Sequence, residues 1–173
     1  MLIRFATLPD APALRALAET TFRDTYTEFN TPENMEKHVA KNFSLAQIQA
    51  ELQLPDNQYV LVEQDNALIA FAKMVKNHST QGLTEERVLE IERIYVAKAF
   101  HGQQIGRKLI DFCTNWAIEQ HFEVIWLGVW ENNPKAMKFY EKMGYTRFGE
   151  HTFVLGEEVQ TDYLMKKYIG VNS

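Results

Sequence analysis

Residues 90–106 read EIERIYVAKAFHGQQIG, a stretch that passes from an apolar, strand-like run into a loop with two glycines. A basic pair follows at once and opens an amphipathic segment that predicts a helix over 104–120. Backbone N–H groups at a helix N-terminus bind anions, and Gly102 and Gly106 allow the backbone to approach a ligand closely. The pattern therefore favours an anion-binding strand–loop–helix unit, and a tight turn before a core helix is the alternative.

Known nucleotide-binding loops do not explain this unit. No Gly-Lys-Ser/Thr follows the glycines, as a P-loop requires, and the dinucleotide fingerprint G-x-G-x-x-G is absent. If the anion site forms, it therefore belongs to neither of these two classes of nucleotide-binding loop.

Patterns on both sides of this unit predict a mixed α/β fold. VIWLGVW at 124–130 is apolar on both faces, which is typical of a central strand, and the strand–helix–strand crossover implies one parallel pair. We predict one α/β (α+β) domain over residues 1–173, with a mostly antiparallel sheet of about six to seven strands and about four helices. The other predicted strands are 2–8, 58–64, 67–76, 87–96, and 145–154 and 159–168 around Gly156; the other helices begin near Asp10, Thr31, Ser44 and Asn133.

Composition limits the class of protein. The 173-residue chain is 46% hydrophobic and 24% charged, values typical of globular proteins and not of disordered or collagen-like chains. It has no run of 18 apolar residues and no signal-peptide pattern, so we expect a cytoplasmic protein without a membrane partner. The single cysteine, Cys113, cannot form an internal disulfide, and the five scattered histidines predict no metal site.

Charge is distributed unevenly along the chain. The net charge of −5 argues against a nucleic-acid partner. Residues 1–72 carry ten acidic and five basic side chains, whereas residues 93–110 carry four basic and no acidic ones. The first segment suits a cationic substrate and the second an anionic group, and solvated surface charge is the alternative for both.

Three segments together resemble a known family. ERIYVAKAFHGQQIGRKLI at 92–110, the strand 124–130 and NNPKAMKFYEKMGY at 132–145 resemble the core of the GNAT superfamily, the Gcn5-related N-acetyltransferases. The family loop Q/R-x-x-G-x-G/A aligns with His101–Gly106, but His101 replaces the usual Gln or Arg and Gln104 replaces the first glycine. IWLGVWENN and GEHTFVLGEEVQTDYLM further resemble bacterial PaiA-type spermidine/spermine acetyltransferases.

The resemblance implies acetyl-CoA as cosubstrate, bound where the central parallel strands 88–96 and 124–130 splay apart. The backbone of Ile94, Tyr95 and Val96 would contact the acetyl and pantetheine groups, Asn133 the pantetheine arm, and Lys142 the phosphorylated ribose. The residues expected at the pyrophosphate are His101, Gly102, Gln103, Gln104, Ile105, Gly106 and Arg107.

Amine acetylation also needs proton transfer. An alkylamine with a pKa of about 10.4 is almost fully protonated at neutral pH, so a base is required. Glu90 and Glu92, two apart on a strand, are predicted to share a face with Ile94 and Val96, and family bases occur at both positions. Surface pairing with Arg93 or Lys98 is the alternative. Tyr140 occupies the family's general-acid position, and a core aromatic is the alternative.

The expected function is therefore transfer of an acetyl group from acetyl-CoA to a primary amine, with a polyamine as acceptor. Four acidic residues support a cationic acceptor because they lie in or near helices that shape the family's acceptor site. These residues are Glu28, Glu33, Glu36 and Glu51. An aminoglycoside, amino-acid or protein N-terminal acceptor, or a non-catalytic acyl-CoA-binding module, remains open. So does the oligomeric state, a homodimer included.

Overall fold

A computed structural model describes residues 1–155 and 157–170, in which one seven-stranded sheet is packed between helices. In chain order the strands are β1 (Leu2–Phe5), β2 (Asn57–Gln64), β3 (Ala67–Lys76), β4 (Val88–Val96), β5 (Val124–Trp130), β6 (Thr146–Leu155) and β7 (Glu158–Tyr168). The α-helices are α1 (Ala11–Tyr26), α2 (Pro32–Asn42), α3 (Leu45–Gln53), α4 (Ile105–Glu119) and α5 (Pro134–Lys142).

The strand order places a parallel pair at the centre of the sheet. The order is β1-β2-β3-β4-β5-β7-β6, and within the described ranges β4 and β5 form the one parallel pair. Their pairing runs from Val88↔Val124 to Ile91↔Leu127 and ends there, although both strands continue. The mixed sheet with a splayed central parallel pair is therefore confirmed, and an opening forms between the two strand ends.

Three helices precede β2, and they begin close to the predicted starts near Asp10, Thr31 and Ser44. The described residues contain five α-helices in all, one more than the predicted total of about four. Two of them begin at side-chain caps: the Thr31 hydroxyl accepts from Asn34 N, and the Ser44 hydroxyl from Gln47 N. The predicted turn at Gly156 lies outside the described residues.

The two sides of the sheet have separate cores. Leu109 and Cys113 of α4 pack with one side of the sheet, whereas Leu14 of α1 and Ile48 of α3 pack with the other. Cys113 is fully buried, and burial raises the pKa of its thiol to about 12. It is a small core residue, as its place on the apolar face of the helix predicted.

A β-bulge interrupts β4 at Glu92. Arg93 pairs with Lys73 of β3 and Ile91 with Met74, so Glu92 is an extra residue between them. Ile91 and Ile94 consequently both face the α4 side. The prediction that Glu90 and Glu92 share a face with Ile94 and Val96 is wrong, because the bulge shifts the side-chain alternation by one residue.

Candidate active site

A cavity of about 640 Å³ occupies the opening between the ends of β4 and β5. Its walls include Ile94, from the α4 side of the sheet, and Tyr26 and Tyr95, from the α1 side. The opening therefore connects the two faces of the sheet, and a ligand on one face can meet a ligand on the other.

The cavity brings together most of the residues that the sequence singled out. Those that line it are Glu92, Ile94, Tyr95, Val96, His101, Gly102, Gln104, Ile105, Gly106, Arg107, Asn133 and Tyr140. Glu90, Gln103 and Lys142 are not part of its wall. A second cavity, of about 590 Å³, lies near the end of α4 and is lined by none of these residues.

The loop between β4 and α4 has an unusual backbone. Gly102 has φ +81°, and Gln104, the residue before α4, has φ 61° and ψ 21°. Gln104 thus adopts the left-handed conformation that a glycine favours, at a cost of about 1–2 kcal/mol. Gln104, which aligns with the first glycine of the family loop, therefore has a backbone conformation in which a glycine would be unstrained.

The start of α4 offers hydrogen-bond donors to the cavity. Lys108 N donates to Gln104 O at 3.1 Å, so the N–H groups of residues 105–107 precede this bond and are left for a ligand. His101 Nε2 donates to Val96 O at 2.8 Å, which ties the loop to the end of β4. This arrangement can bind an anion through the backbone.

Three cationic residues line the cavity: Arg93 of β4, Arg107 of α4 and Lys135 of α5. Arg107 was predicted, but Lys135, at the start of α5, was not. Lys142 lies at the other end of α5, about 10 Å away along the helix axis. The pair Asn133-Pro134 indicated where α5 begins, but the sequence did not show the direction in which the helix runs. That direction brings Lys135, and not Lys142, to the cavity.

Asn133 and Tyr140 are held by α5. Asn133 Oδ1 accepts from Ala136 N at 3.2 Å and caps the helix. Tyr140 packs against Phe139 and Tyr145 and is 8% exposed. Burial raises the pKa of Tyr140 above its usual value, so its hydroxyl keeps its proton at neutral pH and can donate it.

Glu92 stands at the edge of the cavity in a network of buried charges. Lys73 Nζ lies 3.1 Å from Glu92 Oε1 and 2.8 Å from Glu51 Oε1. Lys73 and Glu51 are 4% and 6% exposed. Tyr59 donates to Glu51 Oε2 at 2.9 Å. The Arg93 guanidinium completes the network, 3.5 Å from Glu51 Oε2 and 3.8 Å from Glu92 Oε1, so the predicted alternative of pairing with Arg93 is seen for Glu92. Lys73 therefore fixes the Glu92 side chain at the cavity.

Glu90 is placed differently. It is 9% exposed, and one of its oxygens lies 2.6 Å from His78 Nδ1. Burial raises the pKa of its carboxyl. Because Glu90 is outside the cavity wall, any proton that it took from a ligand there would have to pass through an intermediate group.

The part of the cavity opposite the loop is aromatic. Tyr26 and Trp130 line it with ring centroids 4.7 Å apart. Phe29, which is half-exposed, packs edge-on against Trp130 at 5.0 Å. Sequence reasoning missed this wall, because its rings come from distant segments with no shared motif.

The acidic residues expected to attract a cation are mostly paired. Glu33 Oε1 lies 3.4 Å from Lys37 Nζ, Glu36 Oε1 lies 2.9 Å from Arg23 NH1, and Glu51 is buried beside Lys73. Glu28 is exposed in the turn after α1. Since most of this charge is compensated locally, it contributes little to attraction of a polycation.

The described residues contain neither a metal-binding cluster nor a helix that could span a membrane. No group of three or more His, Cys, Asp or Glu in residues 1–155 and 157–170 is arranged to hold a metal ion. None of the helices in that part of the chain has the length and apolar character needed to cross a membrane.

Comparison with known proteins gives a consistent result. A model of the acetyltransferase (GNAT) family matches residues 15–145. The chain is 36% identical over 158 residues to the uncharacterized N-acetyltransferase in the pepI 3' region of Lactobacillus delbrueckii subsp. lactis, covering 91% of both chains. It is 30% identical over 99 residues to N-alpha-acetyltransferase RimI of Mycobacterium tuberculosis, which is 57% of this chain and 58% of RimI.

The fold is shared with a solved structure of the predicted type. The crystal structure of PaiA N-acetyltransferase from Thermoplasma acidophilum, in complex with coenzyme A, has a TM-score of 0.75. It is 19% identical, and the match covers 97% of this chain and 99% of that one. The resemblance stated from the sequence is confirmed: the chain belongs to the acetyltransferase (GNAT) family and is an N-acetyltransferase.

Proposed function

We propose that this N-acetyltransferase transfers the acetyl group of acetyl-CoA directly to a primary amine, and that the amine belongs to a polyamine such as spermidine or spermine. The polyamine acceptor rests on the sequence resemblance to PaiA-type enzymes, and one observation carries the reaction. A single cavity holds free backbone donors, a carboxylate at Glu92 and a protonated hydroxyl at Tyr140. Direct attack needs these three functions around one space.

The cofactor would lie along the end of β4 and the loop after it. Beyond Ile91 the β5-facing backbone of β4 has no strand partner among the described residues, so Ile94, Tyr95 and Val96 can bond the acetyl and pantetheine groups. The loop and the first turn of α4, with Arg107 and Lys135, would hold the phosphates. Asn133, Gln103 and Lys142 remain predicted contacts, the last two from outside the cavity wall.

Glu92 is the proposed general base. At pH 7 about one alkylamine in 10³ is neutral, and removing the proton in advance costs roughly 4–5 kcal/mol. Both ion pairs of Glu92 use Oε1, which leaves Oε2 to accept a proton directly or through a water molecule. Glu90 would need a relay and is the alternative base.

Tyr140 is the proposed general acid. The departing group is the thiolate of coenzyme A, and free thiols of this kind have a pKa of about 8.5. Protonation as the carbon–sulfur bond breaks assists its departure. The Tyr140 hydroxyl lines the cavity in its protonated form and can supply that proton.

The likeness to RimI favours a second acceptor class, the α-amino group of a protein N-terminus. Thiol release from acetyl-CoA with a panel of amines separates the two proposals. At low salt we expect kcat/KM to be higher for spermidine and spermine than for glycine or a short peptide, with the advantage falling as salt is added.

Each possible result of the amine panel excludes or favours one candidate function. A spermidine rate no better than that of glycine would exclude the polyamine acceptor, and a preference for the peptide would favour the N-terminal acceptor. Thermal stabilisation by acetyl-CoA without release from any amine would indicate a non-catalytic acyl-CoA-binding module. The cytoplasm remains the expected compartment.

A further inference from the structure

Asp162 of β7 places a carboxylate beside the aromatic part of the cavity. Asp162 pairs with Trp130 across β5 and β7. A Cβ built on Gly128, which lines the cavity, would come within 2.9 Å of Asp162 Oδ2. The carboxylate therefore lies against Gly128, next to the cavity, although Asp162 itself is not one of the residues that line it; a larger side chain at position 128 would displace the carboxylate.

The charge of this carboxylate is not compensated. Its side chain is 21% exposed, and in the described residues its closest basic atom is His151 Nε2, at 4.0 Å. No group in that part of the chain donates a hydrogen bond to it. Burial lowers the pKa of His151, so this ring is neutral at neutral pH. Burial raises the pKa of Asp162 to about 6, so Asp162 is still mainly ionised there.

Ionisable and aromatic groups around Asp162 complete a cation site. His151 lies beside it on β6, while Tyr26 of α1 and Tyr95 of β4 line the neighbouring cavity. The rings of Tyr26 and Trp130 can pack on the methylene groups of a ligand or attract its cation. None of these neighbours is cationic at neutral pH, so the site has room for a positive charge from the ligand.

We propose that Asp162 binds a second ammonium group of the acceptor and so selects substrates with at least two amino groups. This inference rests on the proposed function and deepens it. The negative charge of Asp162 stabilises the ammonium form of any nitrogen that pairs with it, so that nitrogen keeps its proton and does not attack. A diamine or polyamine avoids the conflict, because one nitrogen pairs with Asp162 while another attacks acetyl-CoA. Asp162 is then a specificity residue, distinct from the base.

The test compares 1,4-diaminobutane with butylamine, which has the same carbon chain but one amino group. For the intact protein we expect kcat/KM to favour the diamine by about 10- to 100-fold, the usual range for a charged hydrogen bond. In Asp162→Asn the preference should disappear through a higher KM for the diamine. The values for butylamine and the KM for acetyl-CoA should stay unchanged.

Glu158→Gln is the matched control, because it removes an exposed carboxylate from the same strand. It should keep the preference for the diamine. An equal loss of kcat for both amines in Asp162→Asn, with KM unchanged, would make Asp162 a base or a structural residue and overturn the inference. A diamine preference retained in Asp162→Asn would overturn it too.

A binding measurement separates this inference from the proposed reaction. Calorimetric titration of the coenzyme A-bound protein with 1,4-diaminobutane should show binding that Asp162→Asn weakens at least about tenfold. Such binding without any turnover would support the subsite and contradict the proposed reaction. Turnover of amines with no effect of Asp162→Asn on diamine binding would contradict the subsite alone.

Discussion

The two ends of the cavity are assembled in opposite ways. The proposed cofactor end comes from one continuous run, residues 92–107, and the start of α5, and it offers mainly backbone donors. The proposed acceptor end combines Tyr26 of α1 and Trp130 of β5 with the neighbouring Asp162 of β7, and it offers side chains. Because the ends share few residues, acceptor choice can change without altering the cofactor loop.

Glu92 and Tyr140 lie between these ends, and Glu92 gives the largest expected effect. Glu92→Gln keeps the size of the side chain but cannot accept a proton, so kcat near neutral pH should fall by about 10²–10³-fold. High pH supplies neutral amine without help and should restore part of the rate. The measurement is the pH–rate profile.

Glu90→Gln is the matched control for Glu92, because it changes a carboxylate outside the cavity wall. It should leave kcat close to the wild-type value. The opposite result, a loss in Glu90→Gln with an unchanged profile in Glu92→Gln, would move the base to Glu90.

Tyr140→Phe should lower kcat and kcat/KM together by about 10²-fold. The hydroxyl acts mainly in the transition state, and a thiolate is already a fair leaving group, so the low end of the range for general acids applies. Affinity for acetyl-CoA should not change. Steady-state kinetics and calorimetry measure the two quantities.

The neighbouring Tyr145 provides a control for Tyr140, because its hydroxyl is buried and unpaired among the described residues. Tyr145→Phe should leave kcat unchanged and the melting temperature equal or higher. A normal kcat in Tyr140→Phe would make Tyr140 a packing residue, and weakened acetyl-CoA binding in addition would make it a cofactor contact.

A pair of glycines tests whether the cofactor end depends on backbone conformation. Gly102 has φ +81°, and a Cβ added to it would have no atom within 4 Å. A Cβ added to Gly106 would make only ordinary contacts, with Phe139 at 3.8 Å and Val96 at 3.9 Å. Gly102→Ala should weaken acetyl-CoA binding by about 5- to 30-fold, the equivalent of about 1–2 kcal/mol. Gly106→Ala should change it little, and equal losses would show that space is the limiting factor.

The smallest predicted effect concerns the stability of the acceptor end. The folded-state pKa of Asp162, about 6, exceeds its ordinary value of 3.8, so the ionised carboxylate destabilises the fold above about pH 6. Asp162→Asn should raise the free energy of unfolding by about 1–2 kcal/mol there, less than the full shift implies because the group keeps some solvent contact.

Thermal melts at two pH values check the sign of this effect. For a chain of this length, about 1 kcal/mol corresponds to roughly 2–4 °C in Tm. The advantage of Asp162→Asn over the wild type should be present at pH 7.5 and shrink as the pH falls from about 6 towards 4. An advantage that is independent of pH would mean that packing, not charge, is responsible.

The sheet was predictable where side-chain patterns are local. The strand 124–130 was predicted with its observed bounds, and the helix 104–120 is observed as Ile105–Glu119. The predicted strands 58–64 and 67–76 are observed as β2 and β3, joined by a tight turn at Asp65-Asn66 with φ 52° and 62°. The bulge at Glu92 was not predictable, because it depends on how β4 pairs with β3. For this reason Glu90 was predicted on the same face of the sheet as Ile94 and Val96, where it does not lie.

The sequence by itself determined the family, the splayed strand pair and the loop–helix unit after β4, and it predicted the roles of that loop and of Tyr140, because these features lie in short segments with characteristic residue types and spacing. Only the tertiary structure decided which glutamate reaches the cavity, that Lys135 and not Lys142 lines it, and that Asp162 stands beside Trp130. These outcomes depend on strand pairing and helix direction. They bring together residues far apart in the chain, which no local pattern encodes.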